Sequence, residues 1–329
     1  MENFINEYLI FILKIIAITI LVILATLAIL ITIILLTKKK TPTIKIENIN
    51  KKYLNLQMLL YSNTLEKKDF KNIKTKIKID IKNTKHIQKN NVYLLNFNGD
   101  IHANEINTLR EIISAIIAIA KKNDEVLIIL NSSGGLVNNY GLAASLIKRI
   151  RDNNINLTIS VDLIAASGGY LIACVANKII ASHFSIIGSI GVIGQVPNFN
   201  KLLLKNNIKI EEHTSGEYKR TLTIFGKNED KGREKFKDLL KNTHNIFKEF
   251  VKKNRPIVSI DEISTGEYWY GTDALKLKLI DEIKTSDEYL KEKMETKNVY
   301  EITQHINHSF KNLLKEKTIN YIKNTLKIL

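Results

Sequence analysis

The sequence predicts an α/β domain built on parallel strands and preceded by a membrane-spanning helix. Short β-rich runs alternate with helical stretches of ten or more residues after residue 91, the rhythm of right-handed β-α-β crossovers. Three glycine-bearing turns each follow one of those runs, where open α/β folds bind ligands. The span from Ile15 to Leu36 carries no charge over 22 residues, long enough to cross a hydrocarbon core of about 30 Å at ~1.5 Å per residue.

Residues 1–14 form a short flank to that span, which is too long, and lacks the small-residue cleavage site, for a removed signal peptide. Lys38, Lys39 and Lys40 follow it, and the positive-inside rule then places the large domain in the cytoplasm. Residues 37–90 are rich in Lys, Asn and Thr and read as a linker with one short helix over 54–65. The rhythm starts at "VYLLNF" (92–97) and continues with a helix over 105–121, "VLIIL" (126–130) and a helix over 139–151. "LTISV" (157–161), a helix after Ser167 and "KIIAS" (178–182) follow. A second apolar region, 184–199, holds three glycines and a proline and is expected inside the folded domain rather than as another span. A helix over 198–205, a strand over 208–214, a long amphipathic helix over 230–254 and the stretch 273–283 complete a domain of residues 91–290. Residues 291–329 read as a polar, helical tail.

The 329 residues are 45% hydrophobic, enough for a proper core. A net charge of +16 suggests nucleic acid or anionic lipid, yet Lys, Ile and Asn are abundant in every kind of segment, as codon bias toward A and T produces. No nucleic-acid motif accompanies the charge, so no nucleic-acid partner is expected. Cys174 is the sole cysteine, which excludes an intrachain disulfide.

The three turns are "NSSGGLV" (131–137), "AASGGY" (165–170) and "GSIGVIG" (188–194). Their glycines let backbone N–H groups approach a substrate, and the start of the helix after Ser167 favours developing negative charge. Together they describe an oxyanion hole beside a hydroxyl nucleophile. Taken alone, each turn reads more simply as a cap, and Ser167 as an ordinary N-cap. None of the seven histidines stands in a triad context. Lys219, in "TSGEYKRTLT", is the other candidate base; a lysine ordinarily titrates near 10.4 and needs desolvation to reach the ~7–8 useful in catalysis. In a lysine-rich chain, composition does not single it out.

Taken in order, "NSSGG", "AASGGYLIACVANKI", "GSIGV", "HTSGEYKRTLT" and "TGEYWYGTDALKLKLIDEI" resemble the signal peptide peptidase A family of membrane-anchored serine peptidases, over residues 91–290. The resemblance implies a ClpP/crotonase-like α/β spiral. It implies that Ser167 is the nucleophile, that Lys219 is the general base and that Ser189 orients that lysine, with N–H groups at Gly134, Gly135 and Gly168 as the oxyanion hole. It implies hydrolysis of peptides or proteins through an acyl-enzyme, with no metal or organic cofactor, in a homo-oligomer whose serine and lysine sometimes come from neighbouring subunits. Longer family members carry two tandem copies of the domain; this chain has one. The family places the anchor in the bacterial inner membrane and its domain in the periplasm, against the lysine triplet, so the side stays open here. One departure is Ser133, where the family usually has proline, which frees φ in the oxyanion turn. A catalytically degenerate membrane scaffold and a crotonase-type acyl-CoA enzyme are the competing readings; the latter's carboxylates and CoA-binding features are not recognisable.

Overall fold

Parallel strands buried on both faces form the centre of the protein, and their sequences explain why. In the computed structural model, which describes residues 11–27, 43–84 and 90–305, β1 (Thr43–Asn48) precedes β2 (Asn91–Gly99), β3 (Glu125–Ser132), β4 (Asn156–Val161), β5 (Ile164–Ala166) and β6 (Lys178–Ala181). β7 (Ile186–Gly188), β8 (Tyr268–Tyr270), β9 (Glu282–Ile283) and β10 (Asn298–His305) follow. The main sheet runs β10-β2-β3-β4-β6-β9, and every pair along it is parallel. β2 and β3 are nearly continuous apolar runs because both of their faces are covered.

Successive side chains divide between the two faces. Tyr93, Leu95, Phe97, Ile128 and Leu130 join the larger core, covered by α3 (Ile106–Ile119), α4 (Val137–Asp152) and α5 (Gly168–Ala173). Val92, Leu94, Leu127 and Ile180 face the smaller core, closed by Tyr289 and Leu290 of α10 (Ser286–Thr296) and by Ile49 of α1 (Ile49–Thr64).

The sheet forks at the end of β3. β4 pairs with β3 as far as Ser160, opposite Ile129, and β5 then takes over with Ala165 opposite Ser132. β5 pairs in parallel with β7, and β7 pairs antiparallel with β8, making a side ladder at the carboxyl ends of the central strands. Every candidate residue except Lys219 lies on or beside that fork.

Several segments differ from the sequence expectation. The region 37–90 is not a linker with one short helix: α1 starts at Ile49, and α2 (Lys67–Thr84) follows it, with Phe70, Ile73 and Ile77 half-buried at helical spacing beneath an exposed lysine-rich face. Residues 291–305 are no tail either; α10 runs through position 290, and β10 adds a strand to the sheet beside β2, so the compact unit spans Ile46–Thr303. Residues 208–214 form no strand. Their Ile-Lys-Ile alternation fits a half-buried strand, but they lie exposed with no neighbour to pair with. Residues 184–199 hold only β7 and irregular backbone. α6 (Asn200–Lys205), α7 (Asp230–Asn254), α8 (Ile260–Ile263) and α9 (Gly271–Lys276) complete the unit.

In the N-terminal unit, residues 11–27 are helical with exposed apolar side chains, and Thr19 and Thr26 return their hydroxyl protons to carbonyls in the preceding turn. Among the described residues no helix is long and apolar enough to cross a membrane; the rest of the expected 15–36 span lies outside them.

Two of the ion-pair networks on the sheet hold a buried charge. Arg255, 5% exposed at the end of α7, bonds both carboxylate oxygens of Asp281, at 2.9 and 3.2 Å, and the Lys278 carbonyl at 2.7 Å. Asp281 also accepts the Ile179 N–H, which ties α7 to the start of β6. Truncating one partner of such a pair strands the other charge, so Arg255→Ala is expected to cost about 3 kcal/mol of unfolding stability, read by urea denaturation.

Buried Glu125 accepts hydrogen bonds from Tyr289, Thr158, Lys293 and Lys297. Burial pushes its carboxyl up, but bonds from Lys293 and Tyr289 and the charges of both lysines hold it below the ordinary glutamate value of 4.5. A depressed carboxyl contributes stability that is complete above 4.5 and lost as pH falls through the lower folded value. Glu125→Gln is therefore expected to flatten the acid limb of the stability–pH curve measured by chemical denaturation.

Candidate active site

Ser167 is the one residue between β5 and α5, and the turn it makes is strained. Its backbone sits at φ 52°, ψ −119°, outside the regions comfortable for a side-chain-bearing residue. The neighbouring strand holds it there: the Ser167 N–H donates to the Gly188 carbonyl at 2.8 Å, and its own carbonyl accepts from the Leu171 N–H at 3.0 Å. The side chain makes no capping bond to the helix, so the simple N-cap reading does not describe it. A serine at positive φ between a strand and a helix presents its hydroxyl outward, as a nucleophile elbow does.

The two glycines after it answer to crowding. A Cβ on Gly168 would lie 2.5 Å from Cγ of Tyr140, and one on Gly169 would lie 2.4 Å from the Ser132 carbonyl oxygen. α5 can therefore start only this close to β3 and α4 if both positions lack side chains. Gly134 is different: it has φ +89°, and a Cβ there would meet the Gly168 nitrogen at 2.7 Å and Ser167 Cβ at 2.9 Å. The turn after β3 thus presses directly on the serine.

Ser189 stands beside Ser167 by register. Ala166 pairs with Gly188, so the two serines step off adjacent strands together, and Ser189 also has positive φ, 50°. Its N–H donates to the Glu267 carbonyl at 2.7 Å, which anchors it to the segment entering β8. His244 of α7 bonds the Ile190 carbonyl through Nε2 at 3.1 Å and is engaged with backbone.

A cavity of about 480 Å³ opens at Ser167, bordered by Gly135 and Gly168 and walled by Leu171, Val192, Phe247 and Phe250. The Gly134 N–H donates to Ser132 Oγ at 3.1 Å and is already occupied. Gly135 and Gly168 are then the candidate backbone donors on the cavity, and the N–H of Gly168, at the first helical position, has no partner within its helix. A hydroxyl, two amide donors and an apolar recess form a set suited to acyl transfer. The phenylalanine walls escaped the sequence reading. α7 was legible as an amphipathic helix, but only the fold shows which cavity its apolar stripe lines.

Lys219 is not brought to Ser167 within this chain. It lies exposed in the turn over residues 215–219, its N–H donating to the Gly216 carbonyl at 3.1 Å, and it borders a separate cavity with Glu212, His213 and Phe225. Neighbouring charges pair with each other, Arg220 with Glu212 and Lys231 with Glu217. Among the described residues no hydrogen bond or ion pair joins Lys219 to Ser167 or Ser189, and no cluster of three or more His, Cys, Asp or Glu is placed to hold a metal.

A family model described as Peptidase family S49 matches residues 149–300, and one described as Peptidase family S49 N-terminal matches residues 3–147. The "Probable protease SohB" of Buchnera aphidicola subsp. Schlechtendalia chinensis is 49% identical over 88% of this chain and 99% of its own length. The protein of that name from Buchnera aphidicola subsp. Schizaphis graminum (strain Sg) is 47% identical over 99% of this chain and 96% of its own. Among solved structures, the 1510-N membrane-bound stomatin-specific protease aligns with a TM-score of 0.44 and 17% identity, over 72% of this chain and 100% of that one.

Proposed function

Because the chain belongs to peptidase family S49 and is a protease, we propose that it is a membrane-anchored serine endopeptidase with Ser167 as nucleophile and Lys219 as general base. The observation that carries this reading is Ser167 itself: strained, uncapped, flanked by Ser189 and opening on an apolar cavity. The fold that goes with it is the ClpP/crotonase-like spiral, a reading supported by the forked sheet with its side ladder. The anchor is the apolar stretch 15–36, in the bacterial inner membrane.

Neutral Lys219 takes the Ser167 proton as Oγ bonds to the peptide carbonyl carbon, and the oxyanion is received by the N–H groups of Gly135 and Gly168. Collapse breaks the C–N bond, and the leaving amine takes the proton back from the lysine ammonium. Water, activated by the same lysine, then hydrolyses the ester and regenerates Ser167. Ser189 orients the lysine. The exposure of Lys219, on a cavity other than the one at Ser167, favours pairing across a subunit boundary in a homo-oligomer, where a neighbour's surface supplies the desolvation that a lysine base requires. The cavity walls favour peptides with an apolar side chain at the scissile bond.

Hydrolysis of a fluorogenic peptide by the detergent-solubilised full chain tests the reading: the wild type is expected to cleave it and Ser167→Ala is not. One observation favours a second reading, a catalytically silent scaffold, namely the separation of Lys219 from Ser167 in a single chain. An oligomer of verified size that cleaves nothing selects the scaffold.

A further inference from the structure

A buried chain of hydroxyls runs beside the nucleophile. Tyr140, fully buried on α4, has its hydroxyl 2.7 Å from the Asp100 carbonyl oxygen and 2.6 Å from Ser132 Oγ. A carbonyl only accepts, so Tyr140 donates to Asp100. The Ser132 hydroxyl then donates to Tyr140 and, in turn, accepts the Gly134 N–H at 3.1 Å. All the donors point one way, from the turn at the nucleophile to the loop after β2, which is the arrangement in which hydrogen bonds reinforce one another. That loop also takes the Leu136 N–H on the Ile101 carbonyl at 2.9 Å.

The ring of the same tyrosine lies against Gly168, where a Cβ would come within 2.5 Å of it. One side chain thus contacts both backbone segments flanking Ser167: through Ser132, the turn holding Gly134 and Gly135, and directly, the helix start at Gly168. Ser133 leaves the φ of that turn unrestrained. The turn is held by hydrogen bonds, those of Ser132 at its start and the Leu136 N–H to the Ile101 carbonyl at its end. Burial, the largest influence on the Tyr140 phenol, holds its pKa above the usual range, so the donor is present throughout the physiological pH range.

We propose that Tyr140, acting through Ser132, is a positioning residue for the oxyanion hole, fixing the separation of the Gly135 and Gly168 N–H groups. This rests on the reading of Ser167 as the acylating nucleophile. Tyr140→Phe keeps the ring against Gly168 and removes only the hydroxyl; Ser132→Ala removes the middle of the chain.

For Tyr140→Phe, kcat on a leucine-terminated tripeptide coumarylamide is expected to fall about 30- to 100-fold with KM changed by less than about threefold, since a displacement of ~1 Å in a site can cost 10²-fold. The inhibition constant of the matching tripeptide aldehyde, whose hemiacetal oxyanion needs the same donors, is expected to rise by a similar factor, while the tripeptide alcohol binds unchanged. Ser132→Ala should give the same pattern, and the double variant should lose no more than either single one. Wild-type kcat and aldehyde affinity in Tyr140→Phe overturn the proposal. So does a parallel loss of alcohol affinity, which marks general distortion, or an additive double variant. If Tyr140→Phe does not fold, Ser132→Ala carries the same test. Hydrolysis that survives Ser167→Ala strikes the reading of Ser167 as nucleophile instead, and is seen before either variant is assayed.

Discussion

Co-expressing Ser167→Ala subunits with Lys219→Ala subunits is expected to restore about a quarter of wild-type peptide hydrolysis, although each variant alone sits at background. The singles fail for complementary reasons. In the proposed mechanism, no acyl-enzyme forms without the hydroxyl, a loss on the order of 10⁵-fold or more, and without the lysine the hydroxyl keeps its proton. Lys219 is exposed and borders a different cavity from Ser167, so the proposed dyad is expected to form across a subunit boundary. In a random mixture, about half of the sites carry an intact serine and about half of those face an intact lysine, hence the quarter. Pairing within one chain predicts no restoration at all. Full activity in either single variant removes the dyad.

Gly134→Ala is expected to lower kcat/KM by about 10³-fold, comparable with removing an oxyanion donor outright. Two effects combine. At φ +89° any side chain is strained, and here its Cβ would also lie 2.7 Å from the Gly168 nitrogen and 2.9 Å from both the Ala166 carbonyl oxygen and Ser167 Cβ. These are backbone and nucleophile atoms, with no flexible side-chain end to yield, so the turn and the serine must move apart. Gly266→Ala separates the effects: it shares a positive φ, +91°, but meets nothing within 4 Å. It should cost about 1 kcal/mol of stability from left-handed strain and leave kcat/KM within a few-fold. Equal damage from both substitutions would show that contact with Ser167 is not what matters at Gly134.

Part of the candidate site's local geometry was legible because close packing imposes local sequence. Ser167 needs Gly168 and Gly169 after it since α5 starts against Tyr140 and Ser132, and that crowding leaves "SGG" in the sequence whatever surrounds it. The strands of the main sheet were legible for a similar reason, since burial on both faces demands apolar runs such as "VLIIL". What escaped depends on partners distant in the chain. Phe247 and Phe250 reach a serine some 80 residues earlier, which no local pattern encodes. α2 and β10 were hidden by composition: lysine-rich stretches look like linker and tail until Phe70 is seen half-buried on a helix and Val299 paired with Val92 of β2. The expected strand at 208–214 erred in the opposite direction, having the right alternation and no edge to join. That Ser167 caps nothing is a matter of geometry alone; its sequence context suits a cap equally well.

The most direct measurement is to label the solubilised oligomer with a fluorophosphonate and map the adduct by peptide mass spectrometry. An activated hydroxyl at Ser167 predicts a single stoichiometric adduct on that residue, lost in the Lys219→Ala oligomer although Ser167 is still present. An adduct on another serine, or labelling of Ser167 at the wild-type rate without Lys219, would contradict it.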